Sequence, residues 1–162
     1  MKLRRILPVL LIMFATTIAV AQSEAQKSFD KLKTLAGSWE GKASNGQPGQ
    51  VDFRVTSGGS AIISEIKGSE DMVTMFHLDG GRLLMTHYCA AGNQPRMKGS
   101  MSPDGKTMTF DFVDATNLAS SEEGHMHHVV FTFVDANHHS EEWTFLDHGK
   151  EMKETFELVR KN

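Results

Sequence analysis

The sequence predicts an all-β protein, an antiparallel meander of roughly ten strands that closes into a barrel behind one short N-terminal helix. Two observations predict the strands. Beyond residue 37, short segments alternate apolar and polar residues without a helical period, and turn-forming residues separate these segments. A third observation, the absence of crossover helices, indicates antiparallel pairing. Because an open meander of this size would expose two unpaired edges, closure into a barrel is favoured.

The helix is predicted at the start of the domain. Ser23-Glu24-Ala25-Gln26 fits a capping box, in which the serine hydroxyl accepts a backbone hydrogen bond from the first turn. Phe29, Leu32 and Ala36 continue an apolar face at helical spacing, and Gly37 is the expected C-terminal stop.

The strands are predicted from the alternation and from the breaks between them. They lie near residues 38–44, 50–57, 60–67, 71–78, 82–89, 96–102, 106–113, 125–134, 138–146 and 150–160. A three-residue turn at 135–137 would pair residue 133 with 139, 131 with 141, 129 with 143 and 127 with 145. This register brings the bulky faces of the two strands together.

Residues 1–21 have the parts of a secretory signal peptide. A positively charged start precedes an apolar run over residues 6–20, and Ala19-Val20-Ala21 is an Ala-x-Ala exit. The run is short for a membrane span, which needs ~20 residues, although a retained N-terminal anchor is the alternative. We expect cleavage after Ala21, a secreted or periplasmic location, and a single mature domain over residues 22–162 without a membrane span.

Charge and composition exclude several classes of protein. The chain has 17 Lys+Arg against 20 Asp+Glu, and loss of the three positive residues in 1–21 leaves 14 against 20, a net charge of −6. Such a protein is poorly suited to nucleic acid or anionic membranes. The single cysteine excludes an internal disulfide, and 40% hydrophobic residues exclude intrinsic disorder.

The start and end of the predicted barrel resemble a known superfamily. Gly37-Ser38-Trp39, directly after a short helix, is similar to the Gly-x-Trp opening of calycins, which include lipocalins, fatty-acid-binding proteins and nitrobindin-like haem-binding barrels. In lipocalin-like members a basic residue late in the last strand packs across that tryptophan, and Arg160 stands in a matching place. The strand count resembles the fatty-acid-binding and nitrobindin-like branches. The segments around His87 and around Asn93 are also similar to small exported bacterial proteins of unassigned function.

The predicted function is non-covalent binding of a small apolar or amphipathic molecule inside the barrel, with no cofactor required. A barrel of this size is wide enough to leave a cavity, and methionines would give it an adaptable lining. The predicted apolar lining comprises Trp39, Phe53, Met85, Phe110, Phe131, Trp143 and Phe156. The predicted polar groups at one end comprise His87, Tyr88, Asn93 and Arg96. Residues 93–96 have a second interpretation, a connection whose side chains satisfy its own backbone.

The alternative function is binding of haem, copper or zinc through histidine and cysteine. His87 and Cys89 are two residues apart on one strand, as are His125 and His127 on another, so each pair shares a face and could reach one metal. The other interpretation is that these histidines line a pocket rim or face solvent, and that Cys89 is a small buried residue.

Catalytic motifs are missing from the sequence. It contains no Gly-x-Ser-x-Gly, no glycine-rich loop that opens a helix and no His-Glu-x-x-His. Glu65, Glu141 and Glu154 are candidate inward carboxylates, because their neighbours two residues away are apolar or aromatic. Such groups serve as acids or bases only in special surroundings and are more often paired with Arg or His.

Overall fold

The computed structural model describes residues 22–68 and 70–161 and contains a closed barrel of ten antiparallel strands with one short helix. Each strand pairs with the next along the chain, and the last strand pairs with the first. The predicted all-β meander, its closure and its N-terminal helix are therefore confirmed. The predicted signal peptide, residues 1–21, lies outside the described residues.

The strands follow the predicted segments closely. The helix is α1 (Glu24–Lys33) and the strands are β1 (Gly37–Ala43), β2 (Pro48–Thr56), β3 (Ala61–Lys67), β4 (Met72–Asp79), β5 (Arg82–Tyr88), β6 (Gln94–Met101), β7 (Thr107–Thr116), β8 (His125–Phe133), β9 (His138–Asp147) and β10 (Lys150–Arg160). One turn of 3₁₀ helix, Ser57–Gly59, connects β2 to β3.

Helix α1 begins as predicted and ends earlier. The Ser23 hydroxyl accepts a hydrogen bond of 3.1 Å from the Gln26 backbone N–H, which confirms the predicted cap. The helix ends at Lys33, before the predicted stop, because the chain turns there through backbone hydrogen bonds of Thr34 and its successors. Gly37 instead begins β1, with a φ of +130° that favours glycine.

The predicted register of β8 against β9 is correct over most of its length. Phe133 pairs with His139, Phe131 with Glu141 and Val129 with Trp143. The predicted pair of 127 with 145 is wrong. A β-bulge between residues 126 and 128 adds one residue to β8, so that Met126 lies opposite Phe145.

The middle of the barrel is packed solid, and α1 closes one end. Phe29 and Leu32 of α1 belong to the same buried cluster as the inward residues of the strands. The largest fully buried strand residues are Trp39, Ile62, Phe76, Leu83, Met85, Met97, Met108, Phe110, Phe131 and Leu158. Burial of this apolar surface is the main source of stability.

Trp39 and Arg160 fasten the two ends of the domain to each other. The Arg160 guanidinium lies 4.1 Å from the centre of the Trp39 ring and donates hydrogen bonds to the carbonyls of Thr34, Ala36 and Ala136. A Cβ at Gly37 would approach Arg160 Nη1 to 2.8 Å, so glycine leaves room for the guanidinium. One side chain thus joins β10, the end of α1 and the β8–β9 turn.

We expect Arg160→Lys to lower the free energy of unfolding by about 2 kcal/mol, because an ammonium cannot reach three divergent carbonyls and stack on the indole at once. Urea unfolding followed by tryptophan fluorescence measures the change. Arg54→Lys, at an exposed position of β2, is the matched control and should change little. Equal stability of the two variants would contradict this role of Arg160.

Candidate ligand-binding site

The barrel end opposite α1 opens into a cavity of about 430 Å³ between β4, β8, β9, β10 and the β5–β6 connection. We call it the Met-rich cavity. Its lining residues are Glu70, Met72, Cys89, Ala90, Ala91, Met126, Trp143, Phe145, Met152, Lys153 and Glu154. Three thioethers and two aromatic rings thus form its apolar wall, while Glu70 and Glu154 are its acidic residues and the Lys153 ammonium pairs with Glu142 on the outer face.

Strand register explains why these side chains meet. Phe145 lies opposite Met126 on one side and opposite Met152 on the other, so the three form one row across β8, β9 and β10. On the other wall, Val73 pairs with Tyr88. Continuing this antiparallel register by one residue towards the barrel end places Met72 opposite Cys89. Alternation along each strand therefore aims all five side chains at the same space.

A second cavity, of about 1160 Å³, adjoins the first one and shares Glu70, Met72 and Glu154 with it. The strand positions of β1 and β2 on its wall include Gly41, Ala43 and Gly49, whose small size leaves space. The Phe156 ring lies against Gly49, where a Cβ would come within 2.9 Å of it.

Polar side chains occupy the barrel interior one layer below the Met-rich cavity. Ser64 lies opposite Thr74, and Thr74 lies opposite His87, in one row across β3, β4 and β5. Thr74 Oγ1 and His87 Nδ1 share a hydrogen bond of 2.8 Å. All three residues are buried.

The β9 wall contributes a buried carboxyl group. Glu141 is fully buried; its Oε1 lies 3.1 Å from His139 Nε2, and its Oε2 accepts a hydrogen bond of 3.0 Å from Trp143 Nε1. The His87 ring lies 4.8 Å from the Trp143 ring, so the two walls meet at this contact. We name Ser64, Thr74, His87, His139 and Glu141 the polar belt.

Three atoms of the polar belt have no hydrogen-bond partner among the described residues: Ser64 Oγ, His87 Nε2 and His139 Nδ1. An unsatisfied buried polar atom costs about 1–3 kcal/mol. The polar belt therefore retains hydrogen-bonding capacity in the interior, which an apolar core would not have.

Burial shifts the pKa of two groups, His87 in the polar belt and Cys89 in the cavity lining. Loss of solvation lowers the pKa of His87 from 6.5 to about 4, so its imidazole is neutral at pH 7. Burial also raises the pKa of the Cys89 thiol, which keeps it protonated at neutral pH.

The structure separates the predicted apolar lining into two groups. Trp143 lines the Met-rich cavity and Phe156 the larger one. Trp39, Phe53, Met85, Phe110 and Phe131 are buried in the packed interior, away from both cavities. Met72, Met126 and Met152 are among the methionines that the sequence offered as an adaptable lining, whereas Phe145 was not predicted there.

The four predicted polar residues are not brought together. His87 is in the polar belt, and Tyr88, which points the other way on β5, is 50% exposed. Asn93 is buried and donates to the Gly124 carbonyl, which fastens the β5–β6 connection to the start of β8. Arg96 pairs with Asp114 on the outer face. These contacts agree with the structural interpretation of residues 93–96.

The predicted metal ligands lie in two separate places. His125 and His127 both pack against Phe112, with their ring centres 5.6 Å apart, and His125 Nδ1 is bonded to the Glu123 carbonyl. Cys89 lines the Met-rich cavity. Over residues 22–68 and 70–161, no three His, Cys, Asp or Glu side chains are arranged to hold a metal ion.

The candidate carboxylates also differ from one another. Glu141 is inward as predicted, and Glu154 lines both cavities. The inward prediction for Glu65 is wrong, because its neighbours Ser64 and Ile66 are the buried residues of β3 and alternation turns Glu65 to the outer face.

We expect His87 to make stability depend on pH. Its pKa is 6.5 in the unfolded chain and about 4 in the folded protein, so the unfolded chain takes up the extra proton between these values. The contribution of neutral His87 to the free energy of unfolding is fully present well above pH 6.5 and falls by about 3 kcal/mol towards pH 4. Urea unfolding gives the difference in the free energy of unfolding between pH 7.5 and pH 4. This difference should be smaller in His87→Gln than in the wild type by about that amount. His148→Gln, with a side chain 77% exposed in the wild type, is the control. An unchanged pH dependence in His87→Gln would contradict the assignment.

Comparison with known proteins supports the fold. No family model and no curated protein sequence matches this chain. Rv2717c from M. tuberculosis has a similar structure, with a TM-score of 0.57, 14% identity and coverage of 83% of this chain and 98% of that protein. A protein of unknown function from the DUF3598 family of Nostoc punctiforme is similar over 81% of this chain and 48% of its own length, with a TM-score of 0.56 and 9% identity. This chain thus spans about half of the Nostoc protein.

In the part of the chain that the structure describes, no helix has the length and apolar character needed to cross a membrane.

Proposed function

We propose that this protein is an exported binding protein that holds a small apolar or amphipathic molecule at the open end of its barrel. The observation that carries the proposal is the Met-rich cavity, about 430 Å³ in volume, at the end of a closed barrel whose other end is filled by α1. Ligand sites of small molecules are concave, largely apolar and of this size.

The lining of the Met-rich cavity suits a ligand of variable shape. Methionine side chains are flexible and polarisable, and Met72, Met126 and Met152 surround a space whose other walls are aromatic. Covering these groups would remove apolar surface from water, which favours binding by about 25 cal/mol per Å² before the costs of association.

The charged residues of the lining favour an amphipathic ligand over a purely apolar one. Glu70, Lys153 and Glu154 belong to the same lining, and Lys153 is itself paired with Glu142 on the outer face. A ligand with one apolar and one polar part would satisfy both regions of the wall.

One contact in the structure and one sequence feature extend the proposal to family and location. The stacking of Arg160 on Trp39 supports a calycin-like ancestry, because it is the contact that the resemblance implies. The positively charged start, apolar run and Ala-x-Ala motif of residues 1–21 support export to the periplasm or the medium.

We expect the neutral fluorescent probe N-phenyl-1-naphthylamine to bind residues 22–162 with saturable enhancement of its emission. Met152→Glu should weaken the binding at least about tenfold, because it places a carboxylate in the apolar wall. Fluorescence titration measures both affinities. Val113→Glu is the matched control, since Val113 is also a half-exposed apolar strand residue but lies outside both cavities.

The proposal fails if the probe does not bind, or if the two variants lose affinity equally. An absorption spectrum and metal analysis of the protein from its native compartment test the alternative function. A Soret band or stoichiometric copper or zinc, lost in His125→Ala/His127→Ala or His87→Ala/Cys89→Ala, would replace the apolar ligand with haem or metal.

We expect export to leave Gln22 as the first residue of the mature protein. Ala21→Phe should block cleavage because the Ala-x-Ala cleavage site requires small residues at its first and third positions. Val20→Phe, at the middle position, should be tolerated. N-terminal sequencing of protein from the periplasm or medium tests this. A mature chain that still begins at residue 1 would contradict it.

A further inference from the structure

We propose that the ligand is an amphiphile with an uncharged, hydrogen-bonding head group, such as an alcohol or amide, and that this head group binds the polar belt while the apolar chain fills the Met-rich cavity. This inference rests on the proposed function and assigns the class of its ligand. It follows from the position of the polar belt, from its free hydrogen-bonding atoms and from the distribution of charge in the interior.

The polar belt lies within reach of a molecule in the cavity. Met72 and Cys89, which line the cavity, are two residues away in the chain from Thr74 on β4 and His87 on β5. Two residues along a strand advance about 7 Å, which is one layer of inward side chains. The polar belt lines neither cavity, so a head group attached to a chain in the Met-rich cavity reaches it only when the His87–Trp143 contact opens.

The unpartnered atoms of the polar belt suit a head group that both donates and accepts. The Ser64 hydroxyl can do either, while His87 Nε2 and His139 Nδ1 each offer a hydrogen or a lone pair according to the tautomer. Ser64 and His87 flank Thr74 in one row, so their free atoms lie on the same wall. A hydroxyl or amide satisfies such groups without bringing a net charge into the interior.

Charged head groups find no counter-ion at this depth. No lysine or arginine is among the buried residues of the described chain, so a carboxylate or phosphate would be buried without a cation. An ammonium group would depend on Glu141, both of whose oxygens already bond to His139 and Trp143. Burying an unpaired charge costs far more than burying a hydrogen-bonded neutral group.

Trp143 lies between the cavity and the polar belt. It lines the cavity, its ring contacts His87 at 4.8 Å, and its indole N–H is held by Glu141. A head group that reaches His87 therefore displaces this ring contact, which makes Trp143 emission a direct reporter of the deep site.

The test compares four ligands with one chain length: dodecanol, dodecanamide, dodecanoate and dodecylamine. Calorimetric titration at pH 7.5 into residues 22–162 should give affinities for the alcohol and the amide at least about tenfold higher than those for the two ions. Binding of the alcohol and the amide should also shift the tryptophan emission.

Two variants test whether the head group reaches the polar belt. Ser64→Ala removes one free hydroxyl and should lower dodecanol affinity about fivefold, the value of one hydrogen bond. Its affinity for N-phenyl-1-naphthylamine should be unchanged, because that probe needs only the cavity. Ser100→Ala, an exposed serine on β6, is the matched control, and His87→Gln provides a second variant in the same row.

The outcomes separate this inference from the proposed function. If the probe and all four amphiphiles fail to bind, the proposed function itself is wrong. If dodecanoate or dodecylamine binds as tightly as dodecanol, the barrel binds amphiphiles but the neutral-head inference is overturned. The same conclusion follows if Ser64→Ala and Ser100→Ala bind dodecanol equally.

Discussion

The pairing of β10 with β1 is the interaction on which the rest of the structure depends. It runs from Trp39–Arg160 to Ala43–Phe156 and turns a ten-strand sheet into a barrel with no free edge. Gly41 makes it possible, because a Cβ there would lie 1.8 Å from the Glu157 carbonyl oxygen. Arg160 then ties the closed seam to the end of α1.

Closure divides the interior into three regions along one axis. Aromatic and aliphatic side chains pack against α1 at one end, the polar belt crosses the middle, and the Met-rich cavity opens at the other end. The same strands supply all three regions. On β9 alone, His139 and Glu141 lie in the polar belt, His139 also packs against Trp39, and Phe145 lines the cavity. The packed end thus provides the stability that lets the opposite end remain partly empty.

Much of the fold could be predicted because strand alternation and turn residues are local properties. The β8–β9 register followed from the length of one turn and the meeting of bulky faces, and three of its four predicted pairs are present. The fourth failed because no residue pattern marked the bulge after Met126. The candidate site was less predictable. Alternation shows that Trp143 and Phe131 both point inward, but not that Trp143 lines a cavity while Phe131 is packed on all sides.

The sequence by itself determined the strand order, the closed barrel and the inward face of most strands, since these depend on periodicity and on the avoidance of bare edges. It also determined the absence of an internal disulfide, since there is only one cysteine. Only the tertiary structure decided where space remains. Gly41 meets the Glu157 backbone and Gly49 meets the Phe156 ring, while His87 meets Trp143 across the barrel. Such contacts join residues far apart in the chain, and their distances depend on how the whole barrel closes.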